Sequence, residues 1–125
     1  MARVRTKQTD RIAIDGSRIA DMSFAPVQKD VDDYISQFKE GYFPPLEMLA
    51  RLTEELGELA RALSYRTGFK KLKGGEKADD VEDELCDVIF VAVCMANSLS
   101  IDLDEAFAKA MEKYRIRDRD RWTRK

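Results

Sequence analysis

Two stretches of the chain carry the same arrangement of acids. Leu52-Thr53-Glu54-Glu55-Leu56-Gly57-Glu58-Leu59 and Val81-Glu82-Asp83-Glu84-Leu85-Cys86-Asp87-Val88 each read as an aliphatic, two polar residues, Glu, Leu, a small residue, an acid and an aliphatic. On a helix advancing about 100° per residue, Glu55 and Glu84 fall on the same flank of their aliphatic stripes, about 70° from the centre. Glu58 and Asp87 sit one step further out on that side. Each helix therefore offers an i, i+3 acid pair with Cβ atoms about 5–6 Å apart. If the two helices pack antiparallel, the pairs converge into four carboxylates at the edge of the core. Like charges at that spacing require protonation or a cation. An acidic helix face is ordinarily a solvated one, and Glu54, Glu82 and Asp83 suit that description. The repetition at matched phase sets Glu55, Glu58, Glu84 and Asp87 apart.

The chain contains no histidine, which removes Ser-His-Asp and Cys-His nucleophile activation and His-ligated zinc. Cys86 and Cys94 are eight residues apart, roughly 12 Å along one helix and too far for a disulfide between them. They read as reduced core thiols. Chemistry here must run on carboxylates, cations and bound metal. An all-oxygen set selects hard ions, Mg²⁺ with Mn²⁺ as a possible substitute, before zinc or copper. Four acids exceed what one Mg²⁺ usually takes from protein, leaving room for two or more ions shared with substrate phosphates.

Four helical segments must position these groups. Val27, Val31, Tyr34, Ile35 and Phe38 recur at helical spacing between Pro26 and Glu40, with Gly41 as a stop. A second helix follows Pro44-Pro45, from about Leu46 to Ser64, with a stripe of Leu49, Leu52, Leu56, Leu59 and Leu63. A lysine-rich link from Tyr65 to Ala78 is longer than the usual 2–8 residues between helices, which favours a lid or a disordered strip. The third helix spans about Asp80 to Leu99. Asp102 and Glu105 form a capping-box-like start to a fourth, ending near Tyr114 or Arg117. No segment alternates with period two for long, so the expected fold is all-α, a four-helix bundle-like domain over residues 22–125. Residues 1–21 read as a flexible tail outside it.

The pattern Glu55-x-x-Glu58 followed by Glu84-x-x-Asp87, with its flanks EELGELA and EDELCDVIF, resembles the acid signature of MazG-like nucleotide pyrophosphohydrolases, in the all-α NTP pyrophosphatase superfamily. The likeness to the small single-domain members runs from about Val31 to Lys125. It implies Mg²⁺-dependent hydrolysis of a nucleoside triphosphate to monophosphate and pyrophosphate, with Glu55, Glu58, Glu84 and Asp87 as metal ligands and catalytic residues. It also implies triphosphate contacts from basic residues such as Lys113 and Arg117, and assembly as a homodimer or tetramer.

Other residues bear on substrate and partners. Lys113 and Arg117 are spaced i, i+4, and Arg117 falls near the apolar sector of helix four, so it should need an anionic partner. Gln37 beside the stripe of helix one and Asn97 at the end of helix three could read a base edge; exposure and helix capping are the simpler roles. Helix three is apolar on every side after Asp87, so burial against another subunit is expected. The 22 basic and 24 acidic residues leave a net charge of -2, which gives no broad basic field for nucleic acid. No apolar run is long enough to span a bilayer, and none follows the basic N-terminus as a secretory signal would. A cytoplasmic enzyme without nucleic-acid or membrane partners is expected. The alternatives are an enzyme like phosphoribosyl-ATP pyrophosphohydrolase and a non-catalytic helical oligomerisation module.

Overall fold

A computed structural model describes residues 23–125; the expected tail, 1–21, lies outside the described residues. Four helices follow in order: α1 Ala25–Ser36, α2 Pro45–Arg66, α3 Val81–Ser98 and α4 Leu103–Arg117. There is no strand among the described residues. The all-α expectation therefore holds. The described residues fall into two compact units, one of residues 28–102 and one that joins residues 23–27 to Leu103–Lys125.

Helix ends follow local chemistry. Pro44 caps α2 and Pro45 occupies its first turn, where a missing N–H costs nothing and φ is already helical. Asp80 caps α3 by accepting a hydrogen bond from the Glu82 N–H at 3.1 Å. That helix closes with Ser100 N–H donating to the Asn97 carbonyl at 3.1 Å and Ile101 N–H to the Ala96 carbonyl at 2.8 Å. This is a Schellman closure, and Ser100 takes its left-handed position at φ 56°. Helix α1 ends four residues before the expected Glu40. Phe38 N–H bonds back only three residues, to the Ile35 carbonyl at 3.0 Å, and the chain turns through Gly41 at φ 62°. The tightened turn carries Phe38, Tyr42 and Phe43 to the cavity described below.

Within the 28–102 unit, α2 and α3 form the principal helix pair. They run antiparallel: Glu55 meets Asp87, while Glu58, further along α2, meets Asp79, earlier in the chain than α3. The core is small. It holds Met48 and Ala62 from α2 with Val91, Val93, Cys94 and Ala96 from α3, and Glu84 is buried among them. On α2 the inward row is Met48, Glu55, Ala62 at seven-residue spacing, with Met48 and Ala62 buried and Glu55 half-buried, flanked by half-buried Leu52 and Leu59. Leu49, Leu56 and Leu63 remain 49%, 49% and 42% exposed. The face turned to α3 is therefore rotated from the leucine stripe toward Glu55, because small Ala62 and flexible Met48 permit close helix approach where leucines would not. Half-buried Glu55 lies in the middle of this inward row, about 70° from the centre of the leucine stripe.

In the other unit, Phe24 packs on Phe107 with ring centroids 5.2 Å apart, and the Phe24 N–H donates to Asp104 Oδ1 at 2.6 Å.

Candidate metal centre and adjoining cavity

The antiparallel pairing brings the four predicted acids together in two overlapping triads. Carboxylate oxygens of Glu55, Glu84 and Asp87 lie within 4.8 Å of one another, and so do those of Glu58, Asp79 and Glu84. Glu84, the buried member, belongs to both. Asp79 was not foreseen. It lies just before the α3 cap and is held 3.6 Å from Arg61 Nη1. Its only signal in the sequence is the Asp79-Asp80 pair closing the lysine-rich link, which reads equally well as helix capping.

The charge of the cluster is only partly relieved, by Arg61 facing Asp79 and by the more distant Arg51 acting on Glu55. Glu55, Glu58, Glu84 and Asp87 make no ion pair among the described residues. Desolvation, then the charges of Asp87, Glu58 and Glu54, push the Glu55 carboxyl above its usual range. Burial does the same to Glu84, reinforced by Glu58, Asp79, Asp87 and Glu55. Oxygen donors from two helices, crowded and incompletely neutralised, are the donor set a hard divalent cation fits. Glu54 and Glu82 stay outside it. Glu82 instead bonds with Asp80 and pairs with Arg66, which hold its carboxyl down at about 2.

Beside the cluster a cavity of about 370 Å³ opens between α1, the turn after it, and the α2–α3 pair. That volume falls within the range of small-molecule sites, roughly 300–1,000 Å³. Its lining combines aromatic Tyr34, Phe38, Phe43 and Phe90 and apolar Met48, Val91 and Cys94 with Glu55 and Asp87 of the acid cluster. The walls are braced by edge contacts of Tyr34 with Phe38 at 5.3 Å and with Phe90 at 6.1 Å. Tyr42 fixes the turn: its hydroxyl donates to Asp32 at 2.7 Å and accepts from Asn97 Nδ2 at 3.0 Å. Burial and then the bond to Asp32 raise that phenol to about 12, so it stays protonated.

Of the remaining predicted residues, Gln37 and Asn97 belong to the quartet's unit but do not line the cavity. Asn97 is committed to structure: Nδ2 donates to the Gln28 carbonyl at 2.9 Å and to Tyr42, and Oδ1 accepts from Gln28 Nε2 at 2.9 Å. Gln37 is exposed and does not line the cavity. Arg117 is exposed rather than set in an apolar sector, and its Nε and Nη2 each donate to an oxygen of the adjacent Asp118 at 2.9 Å. Lys113 Nζ lies 5.1 Å from the Tyr114 ring centroid. Both belong to the Leu103–Lys125 unit, and the quartet to the other. Among the described residues, no single helix is long and apolar enough to cross a membrane.

The fold is all-helical among the described residues, and two of its helices contribute paired acids beside an aromatic cavity. The comparison with known sequences gives the family. Residues 43–122 match the MazG nucleotide pyrophosphohydrolase domain, and the chain belongs to that family. YpjD, an uncharacterized protein of Bacillus subtilis strain 168, is 55% identical over 107 residues, covering 86% of this chain and 96% of that one. The crystal structure of Bacillus subtilis YpjD matches at 54% identity with TM-score 0.66, over 74% of this chain and 94% of that one. The Bacillus-conserved MazG protein, a nucleotide pyrophosphohydrolase, matches at 51% identity with TM-score 0.63, over 74% and 88%.

Proposed function

We propose that the chain is a nucleoside triphosphate pyrophosphohydrolase that cleaves the α–β phosphoanhydride bond and releases a nucleoside monophosphate and pyrophosphate. The observation that carries this reading is the set of four incompletely neutralised carboxylates from two helices, open at one end to an aromatic cavity. Mg²⁺, with Mn²⁺ as a substitute, would be held by Glu55, Glu58, Glu84 and Asp87, and would offset charge on the phosphates. The chain supplies the rest. Tyr34, Phe38 and Phe90 offer the base flat apolar faces and exclude water from its surroundings, while the acid end of the cavity faces the phosphates. Water attacks the α-phosphorus, its proton passing to a carboxylate of the cluster acting as general base or, for metal-activated water, to solvent, and the bond to the bridging oxygen of the β-phosphate breaks with pyrophosphate as leaving group.

Lys113 and Arg117 are carried in this proposal as triphosphate contacts; for Arg117 that requires exchanging Asp118 for a phosphate. Gln37 is free to meet a base edge, whereas Asn97 acts by holding Tyr42. A homodimer or tetramer in the cytoplasm is part of the same proposal, as is a domain of residues 22–125 that works without residues 1–21. A panel of ribo- and deoxyribonucleoside triphosphates with Mg²⁺, scored by pyrophosphate release, is the test. Release that stops in EDTA and returns with Mg²⁺ supports the reading. Silence across the panel, or full turnover in EDTA, sinks it. Phosphoribosyl-ATP in the panel separates that neighbouring activity.

A further inference from the structure

Helix α2 carries all three arginines of the 28–102 unit, and two of them are spent on acids. Arg61 meets Asp79 at 3.6 Å and Arg66 pairs with Glu82. Arg51 makes no ion pair among the described residues. Its guanidinium carbon lies 4.8 Å from the centroid of the Phe43 ring, and the side chain lines the cavity that Glu55 and Asp87 close. Arg51 precedes Glu55 by four residues, so the two share a face about 6 Å apart along the axis. A cation one turn from an incompletely neutralised acid cluster, yet stacked on an aromatic ring rather than on a carboxylate, is held for an anion that arrives from outside. Stacking on Phe43 fixes the plane of the fork while leaving its edge N–H groups to donate.

The register of the two helices says which anion. Glu55 and Asp87 stand at one level of the antiparallel pair, and at about 1.5 Å per residue the lining residues Arg51 on α2 with Phe90 and Val91 on α3 come about one turn on, with Met48 and Cys94 about a turn beyond. A nucleotide whose terminal phosphates sit with the acids and whose base lies on the aromatic walls puts its α-phosphate at the level of Arg51. We infer that Arg51 binds the α-phosphate of the substrate from the cavity side, and is thereby the residue that separates the nucleotide half of the molecule from its pyrophosphate half. This rests on the pyrophosphohydrolase reading above. It adds to that reading a cationic contact on the phosphorus under attack, where charge builds on the non-bridging oxygens.

The test compares two ligands with Mg²⁺ present. One is a nucleoside monophosphate of the preferred base, which carries the α-phosphate. The other is inorganic pyrophosphate, which carries only the leaving half. Titration calorimetry on Arg51→Gln should show monophosphate binding weakened roughly 10- to 100-fold, the loss expected for a charge-assisted hydrogen bond, with pyrophosphate binding unchanged. Arg51→Lys should recover part of the loss, since it keeps the charge and gives up the fork. Phe43→Leu should fall between wild type and Arg51→Gln, with thermal stability close to wild type in all three. Equal weakening of both ligands overturns the α-phosphate assignment, and so does monophosphate binding untouched in Arg51→Gln. A wild-type protein that releases pyrophosphate from no triphosphate refutes the underlying reading instead, so the two failures are distinct.

Discussion

At the scale of single residues, Glu54 and Glu55 are neighbours in sequence with opposite circumstances. Glu54 is exposed, while Glu55 sits in the row of Met48 and Ala62 and shares a triad with Glu84 and Asp87. Under the proposed metal-centre reading, Glu55→Gln removes a charged ligand and nearly preserves shape. Changes one shell further out already cost 10–100-fold in metal affinity or activity, so this one should cost at least about that in pyrophosphate release at saturating Mg²⁺. The fold should gain thermal stability in EDTA, because a desolvated and repelled carboxylate is gone. Glu54→Gln should change activity a few-fold and stability by about half a kcal/mol or less. Comparable small effects from both substitutions would return the quartet to an ordinary solvated face. The same physics sets a pH dependence. Glu55 and Glu84 are raised from 4.5 in the fold, so the folded state holds their protons more tightly than the unfolded chain. Metal-free stability therefore declines as pH rises from about 4.5 through the folded values, and acidification toward that point from neutrality should raise Tm in EDTA. Glu82, lowered to about 2, acts only below this window. If these carboxylates hold Mg²⁺ as proposed, they must be deprotonated to do so, and the Mg²⁺-induced rise in Tm should grow with pH. Melts in EDTA and in Mg²⁺ between about pH 5 and pH 8 check both; a flat EDTA series would mean the carboxylates are not strained.

At the scale of elements, the closure of α3 offers a clean substitution. Ser100 holds φ 56°, a conformation that costs a residue with a Cβ about 1–2 kcal/mol and glycine little. Ser100→Gly keeps both closing hydrogen bonds and should stabilise the unit by about 1 kcal/mol, after the extra chain entropy of glycine is deducted. A Tm unchanged or lowered would mean the serine hydroxyl makes a contact worth as much as the relieved strain. This terminus also shows what the sequence made legible. The four helices follow from apolar spacing, Pro44-Pro45 and the capping Asp80, because those signals are local. The quartet was legible because the same eight-residue pattern recurs, and periodicity converts spacing into direction. Three features were not. Which face of α2 turns inward depends on how closely α3 approaches, so the leucine stripe misled by concealing the Met48-Glu55-Ala62 row. Asp79 joins the cluster only because antiparallel pairing returns the link beside Glu58. The early end of α1, which gives the cavity Phe38 and Phe43, rests on one three-residue hydrogen bond that no composition announces.

At the scale of the whole molecule, the described chain leaves much apolar surface uncovered. Leu49, Leu56 and Leu63 form a row with seven-residue spacing on α2, all more than two-fifths exposed, and Leu85 and Ile89 on α3 are each 47% exposed. A leucine left half in water forgoes about 1 kcal/mol, and a row of them is more than a scattered surface residue would be. Heptad spacing is also what a partner helix reads, since it keeps one side of a helix in contact along its length. A second copy of this chain supplies such a helix with the same row. Light scattering at micromolar concentration should therefore give a mass of at least twice 14.4 kDa. Leu56→Glu and Leu49→Glu place charge on that row without touching the buried Met48 or Ala62. Each should shift the mass toward the monomer and leave helical content unchanged, because within one chain these positions are already wet. Glu54→Gln, outside the row, serves as the control and should keep the wild-type mass. A wild-type monomer would refute the oligomer outright, and unaltered mass in both leucine variants would move the interface to Leu85 and Ile89 on α3, where Ile89→Glu should then dissociate it.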